Sequence, residues 1–417
     1  MAVATLSRID ERLRETAEDA LRGPAFRGAS TDAALARLRE LATELWLDTG
    51  NLEEAKALWH PEFTALTTNN TLVNQVVQTG ILDDVVKDTI RELIHSDPEI
   101  SEEAIIMELG FVVNCHAAIR LVKELDAMVS VELHPDVAAD IDRSVYYAER
   151  YFAICPERFY IKIPLTPEGY CSVARVRAKG IPVNYTLGFS ARQNYLAGLI
   201  SNPTFVNVFL GRLNAVVADN HLGDGKYVGE KTAIASQAAI RELRGSGKSA
   251  TRQIAASMRS ASQVADLAGM DVFTMPVKVV KEFLASSPDP GQLKSQVDRE
   301  YPVSFYPGVD PASFDALWSV DDKFRAFADD VKRRDVTTLT GDDLREADAD
   351  HGTHLFHRFT SVDVVDIRDK GKIPDLDRWK DVPGVSLDNL MTESALQSFA
   401  VDQAALDDHL RSLTRSR

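Results

Sequence analysis

The feature that most constrains this chain is an alternation of short apolar segments with helical segments. Eight strand-like segments lie between ELWLDTG (residues 44–50) and DVFTMP (residues 271–276), with helical stretches between them. Such alternation is typical of a parallel sheet with crossover helices, and eight units predict closure into a (β/α)8 TIM barrel of the α/β class. An open doubly wound sheet is the alternative, but no glycine-rich phosphate turn follows the first strand.

We expect three parts along the chain. Residues 1–44 predict N-terminal helices packed on the barrel, and residues 45–285 predict the barrel itself. Residues 286–417 are rich in Asp and Pro and predict helices and loops, with an inserted segment over about 341–383. The last helix carries an apolar stripe that predicts docking on the barrel. Its members are Leu396, Phe399, Ala400, Leu406, Leu410 and Leu413.

Charge and cysteine content narrow the function classes. The 417 residues carry a net charge of −16, which disfavours nucleic acid and anionic membrane surfaces as partners unless a local basic patch exists. Three cysteines without a CxxC pair favour reduced thiols. We see neither a signal-peptide core nor an apolar run of membrane-spanning length, so we expect a cytoplasmic protein.

Lys162 stands in the middle of an apolar strand, RFYIKIPLT (residues 158–166). Such a lysine either reaches out to the strand end or is buried with a lowered pKa. A neutral amine attacks carbonyl groups, so Lys162 is a candidate Schiff-base nucleophile. A buried lysine with a salt-bridge partner is the commoner outcome for one strand considered alone.

Other strands repeat this pattern of polar residues in apolar surroundings. Residues two apart in a strand share a face, and five strands carry such a pair with at least one polar member. These pairs are Trp46 and Asp48, Thr67 and Asn69, Ser130 and Glu132, Tyr160 and Lys162, and Asn184 and Thr186. Five strands with this pattern predict one polar pocket lined from several strands, as in barrel enzymes.

Several motifs in order resemble the transaldolase family of Schiff-base barrel aldolases. They are LWLDTG, TALTTNN, VSVEL, YIKIP, GIPVNYTLGFS, VFLGR and AASMRS…LAGMDVFTM, with a weaker match, FAVDQAALDDHL, in the last helix. The resemblance implies transfer of a dihydroxyacetone unit from sedoheptulose 7-phosphate or fructose 6-phosphate to an aldose phosphate in the pentose phosphate pathway. It implies sugar phosphates as ligands, no metal or organic cofactor, and a monomer or homodimer.

The resemblance also implies roles for individual residues. Lys162 would form the Schiff base, Asp48 would be the acid/base for carbon–carbon cleavage, and Glu132 with Thr186 would hold the water that carries protons. The implied substrate-binding residues are Thr68, Asn69, Asn184, Phe209, Arg212, Ser257 and Arg259. Among these, Arg212, Ser257 and Arg259 would bind phosphate, and Phe209 in place of a tyrosine favours transfer over simple aldol cleavage.

The chain departs from the family at three places. Asn70 replaces a usual proline, Asn207-Val208 replaces Ser-Pro, and Leu165 replaces a small residue. These departures, with the long C-terminal part, leave an alternative open: a related enzyme or aldolase that uses a non-standard donor or acceptor in a specialised pathway. A non-catalytic scaffold barrel is a further alternative, which the intact Lys162, Glu132 and Asp48 disfavour.

Two other motifs carry less weight. GSGKSAT (residues 245–251) resembles a phosphate-binding loop, but Glu242 stands where that motif needs glycine, and a helix is predicted where it needs a strand. His351, His354 and His357 have spacing compatible with metal ligands, although solvated histidines are the commoner outcome.

Overall fold

A computed structural model describes residues 3–23 and 28–415 and contains a closed barrel of eight parallel strands in chain order, with β8 paired to β1. The (β/α)8 prediction is confirmed. The strands are β1 Glu44–Asp48, β2 Phe63–Thr67, β3 Met128–Glu132, β4 Phe159–Pro164, β5 Val183–Thr186, β6 Phe205–Phe209, β7 Arg252–Ala256 and β8 Val272–Pro276.

Helices precede the barrel, connect its strands and follow it. The first two are α1 Val3–Arg22 and α2 Ala33–Glu40. Those between strands are α3 Leu52–Leu58, α4 Asn70–Val77, α5 Asp83–Ser96, α6 Glu102–Leu125, α7 Ile141–Ile154, α8 Pro167–Ala178, α9 Ala191–Ser201, α10 Leu210–Asp219, α11 Val228–Gly245 and α12 Ala261–Asp266. Those after β8 are α13 Val277–Ala285, α14 Asp315–Trp318, α15 Asp322–Arg333, α16 Gly341–His351, α17 Ser361–Lys370, α18 Leu376–Trp379 and α19 Leu387–Arg415.

Aromatic side chains fill the barrel interior below its carboxyl-end layer. Trp46 stacks on Tyr160 with ring centroids 5.6 Å apart, and Phe205 meets the Trp46 ring edge-on at 4.7 Å. Residues two further along each strand share the same face. The aromatic layer therefore forms a closed floor beneath Asp48 and Lys162.

The last helix covers part of the barrel's carboxyl-end opening. α19 contacts α4, α5 and α6, and Phe399 packs against Phe209 at the end of β6 with ring centroids 6.4 Å apart. Asp388, in its first turn, is buried and accepts hydrogen bonds from Arg192 Nε at 2.7 Å and Nη2 at 2.8 Å. The helix therefore packs against its own chain.

Two expectations about local structure are wrong. The pattern of residues 72–125 predicts one long helical region with a break near residue 98, but the structure has three helices there, because Gly80 takes a left-handed φ of 76° between α4 and α5. The apolar segment TFVNVFLGR (residues 204–212) predicts a strand that reaches Arg212, but this strand ends at Phe209, and Arg212 lies in the first turn of α10. One helix in the described part of the chain, α6, is apolar and long enough to cross a membrane, but 83% of its most apolar window is buried, as in the core helices of globular proteins.

Candidate active site

A cavity of about 310 Å³ opens at the carboxyl ends of the barrel strands. This end of a TIM barrel carries the active site in characterised enzymes of the fold. Eight of the predicted site residues line it: Asp48, Asn69, Lys162, Asn184, Phe209, Arg212, Ser257 and Arg259. The predicted residues Thr68, Glu132 and Thr186 do not line it, and the first two contact Lys162 instead.

Lys162 is buried, with 6% of its side chain exposed, so it does not reach out to solvent. Its Nζ donates to the carbonyl oxygen of Thr68 at 3.2 Å and to Oε2 of Glu132 at 3.3 Å. It also lies 5.7 Å from the centre of the Phe399 ring. The lysine therefore has the salt-bridge partner that a structural lysine would have, but it also borders an open cavity where a carbonyl substrate can reach it.

Two carboxyl groups near the amine have raised pKa values. Burial raises the pKa of Glu132, opposed by the charge of Lys162. Burial likewise raises the pKa of Asp48, opposed by a hydrogen bond from Thr67 and by the charges of Lys162 and Arg259. Carboxyl groups with raised pKa values beside an amine keep their protons to a higher pH than ordinary carboxyl groups do, which suits general acid/base chemistry.

A hydroxyl pair orients Asp48. Thr67 Oγ1 donates to Asp48 Oδ1 at 2.6 Å and lies 2.6 Å from Thr274 Oγ1 on β8. Sequence reasoning did not identify Thr274 as a site residue. The signal was present, because a threonine inside the apolar strand VFTMP is the same pattern that marked the other strands.

Cationic side chains line the cavity just beyond the ends of β6 and β7. Arg212 is 7% exposed, and burial together with the nearby charge of Arg259 lowers its pKa to about 10. Its Nη1 has no hydrogen-bond partner among the described residues. A buried guanidinium without a paired anion suits a phosphate ligand.

The backbone brings these arginines together at a close crossing. A side chain at Gly211 would place its Cβ 2.1 Å from the carbonyl oxygen of Ser257 and 2.7 Å from Cγ of Arg259. Glycine is therefore required where α10 approaches the end of β7. Ser257 itself has a φ of 61°, a strained conformation for serine of the kind that clusters at functional sites.

The predicted amide and hydroxyl groups are not equally available to a ligand. Asn184 Nδ2 donates to Ser130 Oγ at 3.0 Å, which leaves its Oδ1 without a partner in the described part of the chain. Thr186 Oγ1 is also buried and unpartnered there. Asn69 Oδ1 caps α4, and the Thr68 hydroxyl donates to the Ser130 carbonyl, so Thr68 contributes to the site through its backbone.

The three places where the chain departs from the family have different surroundings. Asn207 lines the cavity, but its amide group donates to Tyr185 O at 2.7 Å and accepts from Gly188 N at 3.2 Å, so it ties β6 to β5 and its following loop. Asn70 is the first residue of α4 and is buried, with neither side-chain polar atom bonded to a described residue. Leu165 borders a second cavity rather than this one.

Three cavity residues come from the C-terminal part and were not expected as site residues. They are Lys372, Phe399 and Asp402. Phe399 was expected only to dock, although it and Asp402 lie in the weaker family match FAVDQAALDDHL, and nothing in the local sequence marks Lys372. Over the described ranges, no group of three or more His, Cys, Asp or Glu side chains is placed to hold a metal ion.

Comparison with known proteins agrees with this geometry. A family model described as transaldolase/fructose-6-phosphate aldolase matches residues 45–333, and the chain belongs to this family. It is 30% identical to a probable transaldolase of Thermus thermophilus, over 58% of this chain and 90% of the relative. It is 26% identical to a transaldolase of Chlamydia pneumoniae, over 60% of this chain and 76% of the relative. Lys372, Phe399 and Asp402 lie beyond the family match.

Proposed function

We propose that this protein is a transaldolase that moves a dihydroxyacetone unit from a ketose phosphate to an aldose phosphate through a Schiff base on Lys162. The observation that carries the proposal is the placement of Lys162 beside Glu132, with Asp48 and the arginines around the same cavity. Sedoheptulose 7-phosphate and fructose 6-phosphate are the proposed donors, in the pentose phosphate pathway. A cytoplasmic location and a homodimer stay predictions.

The reaction begins with imine formation. The Lys162 amine attacks the C2 carbonyl of the ketose, and the resulting carbinolamine loses water to give an iminium ion. Glu132 supplies and recovers the protons of these steps, because it hydrogen-bonds Nζ directly and its pKa is raised by burial. The Thr186 hydroxyl holds the water that carries these protons.

Carbon–carbon cleavage follows from the same arrangement. Asp48 accepts the proton of the C4 hydroxyl, the C3–C4 bond breaks, and its electron pair moves into the iminium to form an enamine. The aldose phosphate leaves, and an acceptor aldehyde enters. The enamine attacks this aldehyde, Asp48 returns the proton to the new hydroxyl, and hydrolysis frees Lys162.

Phosphate binding orients the sugar in the cavity. Arg212 and Arg259, with the Ser257 hydroxyl, hold the phosphate, and Asn69 and Asn184 hold donor hydroxyls. Guanidinium groups suit phosphate oxygens because they offer paired N–H donors. These arginines make the phosphate site locally positive although the chain as a whole is acidic.

Borohydride trapping tests the proposal. Incubation with fructose 6-phosphate and sodium borohydride should add a reduced dihydroxyacetone fragment to Lys162, detected by peptide mass analysis. Lys162→Arg is the matched control, because it keeps the positive charge but cannot form the imine. Absence of the adduct on the wild-type protein with both proposed donors would contradict the proposal.

A second candidate is a transaldolase-type enzyme with a non-standard donor or acceptor. It is favoured by Lys372, a cavity residue that lies beyond the matched residues 45–333 and outside every motif that resembles the family. Comparison of kcat/KM for erythrose 4-phosphate with a panel of other aldehydes separates the two. A strong preference for erythrose 4-phosphate would exclude the second candidate and leave the first proposal as the one supported.

A further inference from the structure

Lys372 borders the reaction cavity although it belongs to the C-terminal part of the chain. It lies in the turn between α17 and α18, and its side chain is exposed, whereas Arg212 in the same cavity is buried. An exposed residue that still lines the cavity stands at its solvent-facing rim. Its ammonium group has no hydrogen-bond or ion-pair partner in the described ranges.

The turn that carries Lys372 is fixed on both sides. Gly371 has a φ of 93° and a ψ of −148°, a conformation essentially restricted to glycine, and its carbonyl accepts from Ser394 Oγ on α19 at 3.1 Å. Beyond Lys372, the carbonyl of Pro374 accepts from Asn220 Nδ2 at the end of α10 at 3.0 Å. The turn is thus attached to the helix that covers the cavity and to the helix that carries Arg212.

Lys372 differs in its ion pairing from Lys370, the nearest basic residue in the sequence. Lys370 lies 3.3 Å from a carboxylate oxygen of Asp375 and forms an ordinary surface ion pair. Lys372, two residues later, is without a carboxylate partner in the described structure and lines the cavity instead. A surface lysine whose only function is solubility needs no such held turn.

The cavity carries an excess of positive charge. Four cationic side chains line it, Lys162, Arg212, Arg259 and Lys372, against the two carboxyl groups of Asp48 and Asp402, and Glu132 adds a third carboxyl group by pairing with Lys162. The chain as a whole has a net charge of −16, so this local excess runs against its composition. An anionic ligand would compensate the excess.

We infer that Lys372 is a specificity-determining residue that binds the phosphate of the incoming sugar from the rim, together with Arg212 and Arg259. The inference rests on the proposed function only for the identity of the ligand as a sugar phosphate. The ammonium group adds a third cation from outside the part of the chain that matches the family. It selects phosphorylated over unphosphorylated sugars.

Steady-state kinetics with paired substrates test this inference. Lys372→Met removes the charge and keeps the side-chain length, and it should lower kcat/KM for fructose 6-phosphate about tenfold, mainly through KM. For unphosphorylated fructose the change should stay within about twofold, and Lys372→Arg should retain most of the preference for phosphate. Lys87→Met, on an exposed face of α5 away from the cavity, is the matched control and should change neither substrate. Equal losses for both sugars, or no loss, would overturn the inference.

Calorimetric binding of inorganic phosphate separates this inference from the proposed function. Binding requires no chemistry, so it can be measured even if sugar transfer is absent. The wild-type protein should bind phosphate, Lys372→Met about tenfold more weakly, and Lys87→Met as the wild type does. Equal affinity in the wild type and Lys372→Met, or no binding by the wild type, overturns the inference regardless of the trapping result.

Discussion

Lys162 Nζ lies 3.3 Å from Glu132 Oε2, and the strand register places these two residues directly opposite each other on β4 and β3. Both side chains are almost fully buried. The contact is therefore set by the sheet itself, since parallel pairing in this register brings both side chains to the same interior layer. A rigid pair of this kind holds the amine and its proton partner in place before substrate arrives.

Glu132→Gln should slow imine formation while leaving cavity shape unchanged. The amide keeps a hydrogen-bond acceptor for Nζ but cannot exchange protons, so borohydride trapping of the donor at pH 7.5 should slow about 100-fold. Quenched time points followed by peptide mass analysis measure this rate. Trapping at the wild-type rate would remove Glu132 from the proton transfer steps.

Asp48→Asn should abolish cleavage and stabilise the fold at neutral pH. Burial raises the Asp48 pKa, so the folded protein holds this proton more tightly than the unfolded chain does. The buried Asp48 side chain therefore destabilises the folded state at pH values above its unfolded-state pKa of about 3.9 and has no such effect below that pH. We expect a Tm about 2 °C above wild type at pH 7.5 and equal Tm values near pH 3.5. Thermal unfolding at both pH values is the measurement, and a lower Tm at pH 7.5 would contradict it.

Thr186→Val should impair the reaction without destabilising the protein. The Thr186 hydroxyl is buried without a partner among described residues, so its removal breaks no hydrogen bond with them. Imine formation should slow about tenfold or more while Tm stays constant or rises. Thr166→Val is the matched control: that hydroxyl donates to Ala138 O at 3.0 Å and caps α8, so its loss should cost about 1 kcal/mol of stability without the same kinetic defect.

Asn70→Pro should stabilise the fold. Asn70 is the first residue of α4, where proline needs no N–H donor, and Asn69 before it has the extended backbone that proline prefers. The change also removes a buried amide group that no described residue satisfies. We expect a gain of about 1 kcal/mol in urea unfolding. Val73→Pro should destabilise instead, because Val73 N donates to Asn69 O at 2.9 Å.

Breaking the Arg192–Asp388 pair should detach the first turn of α19. Burial alone would raise the Asp388 pKa, but Arg192 and the hydroxyls of Ser386 and Ser190 hold it below its ordinary value. This contribution to stability is present above the unfolded-state pKa of about 3.9 and is lost as the pH falls through the lowered value. Asp388→Asn should cost about 3 kcal/mol at pH 7, and catalysis should weaken because Phe399 shifts.

The double variant Arg192→Met, Asp388→Leu checks that interpretation. The double variant leaves no unpaired buried charge, so it should lose less stability than Arg192→Met alone or Asp388→Leu alone. Asp377→Asn, at the exposed Lys380–Asp377 pair, should change unfolding free energy by less than about 0.5 kcal/mol. A double variant less stable than both single variants would contradict the buried-charge explanation.

The barrel could be predicted because each of its strands is marked by residues that are close together in the sequence. Each strand shows its apolar run, and the polar residue at each carboxyl end, such as Asp48 or Lys162, lies within or directly after that run. Boundaries were harder: α10 begins immediately after Phe209, so apolar residues continue across the change of structure and the strand was extended to Arg212.

Residues placed by distant contacts could not be predicted. Lys372 lies at the cavity rim in a turn that hydrogen bonds to Ser394 and Asn220 fix, and these contacts join positions far apart in the chain. The same holds for Arg150, whose buried guanidinium binds Glu108 and Asp10 from two other helices. Periodicity carries no information about such pairings.

Because α19 covers the cavity and is synthesised after the barrel, the order of synthesis determines when the cavity is completed. Lys162, Glu132 and Asp48 are translated long before Phe399 and Asp402, so a growing chain can assemble the amine and its acid partners while one wall of the cavity is still missing. Only when the final helix docks does the aromatic ring of Phe399 come to lie over the amine. The cavity lined by Phe399 and Asp402 is therefore complete only after residue 402 has been synthesised and the final helix has packed in place.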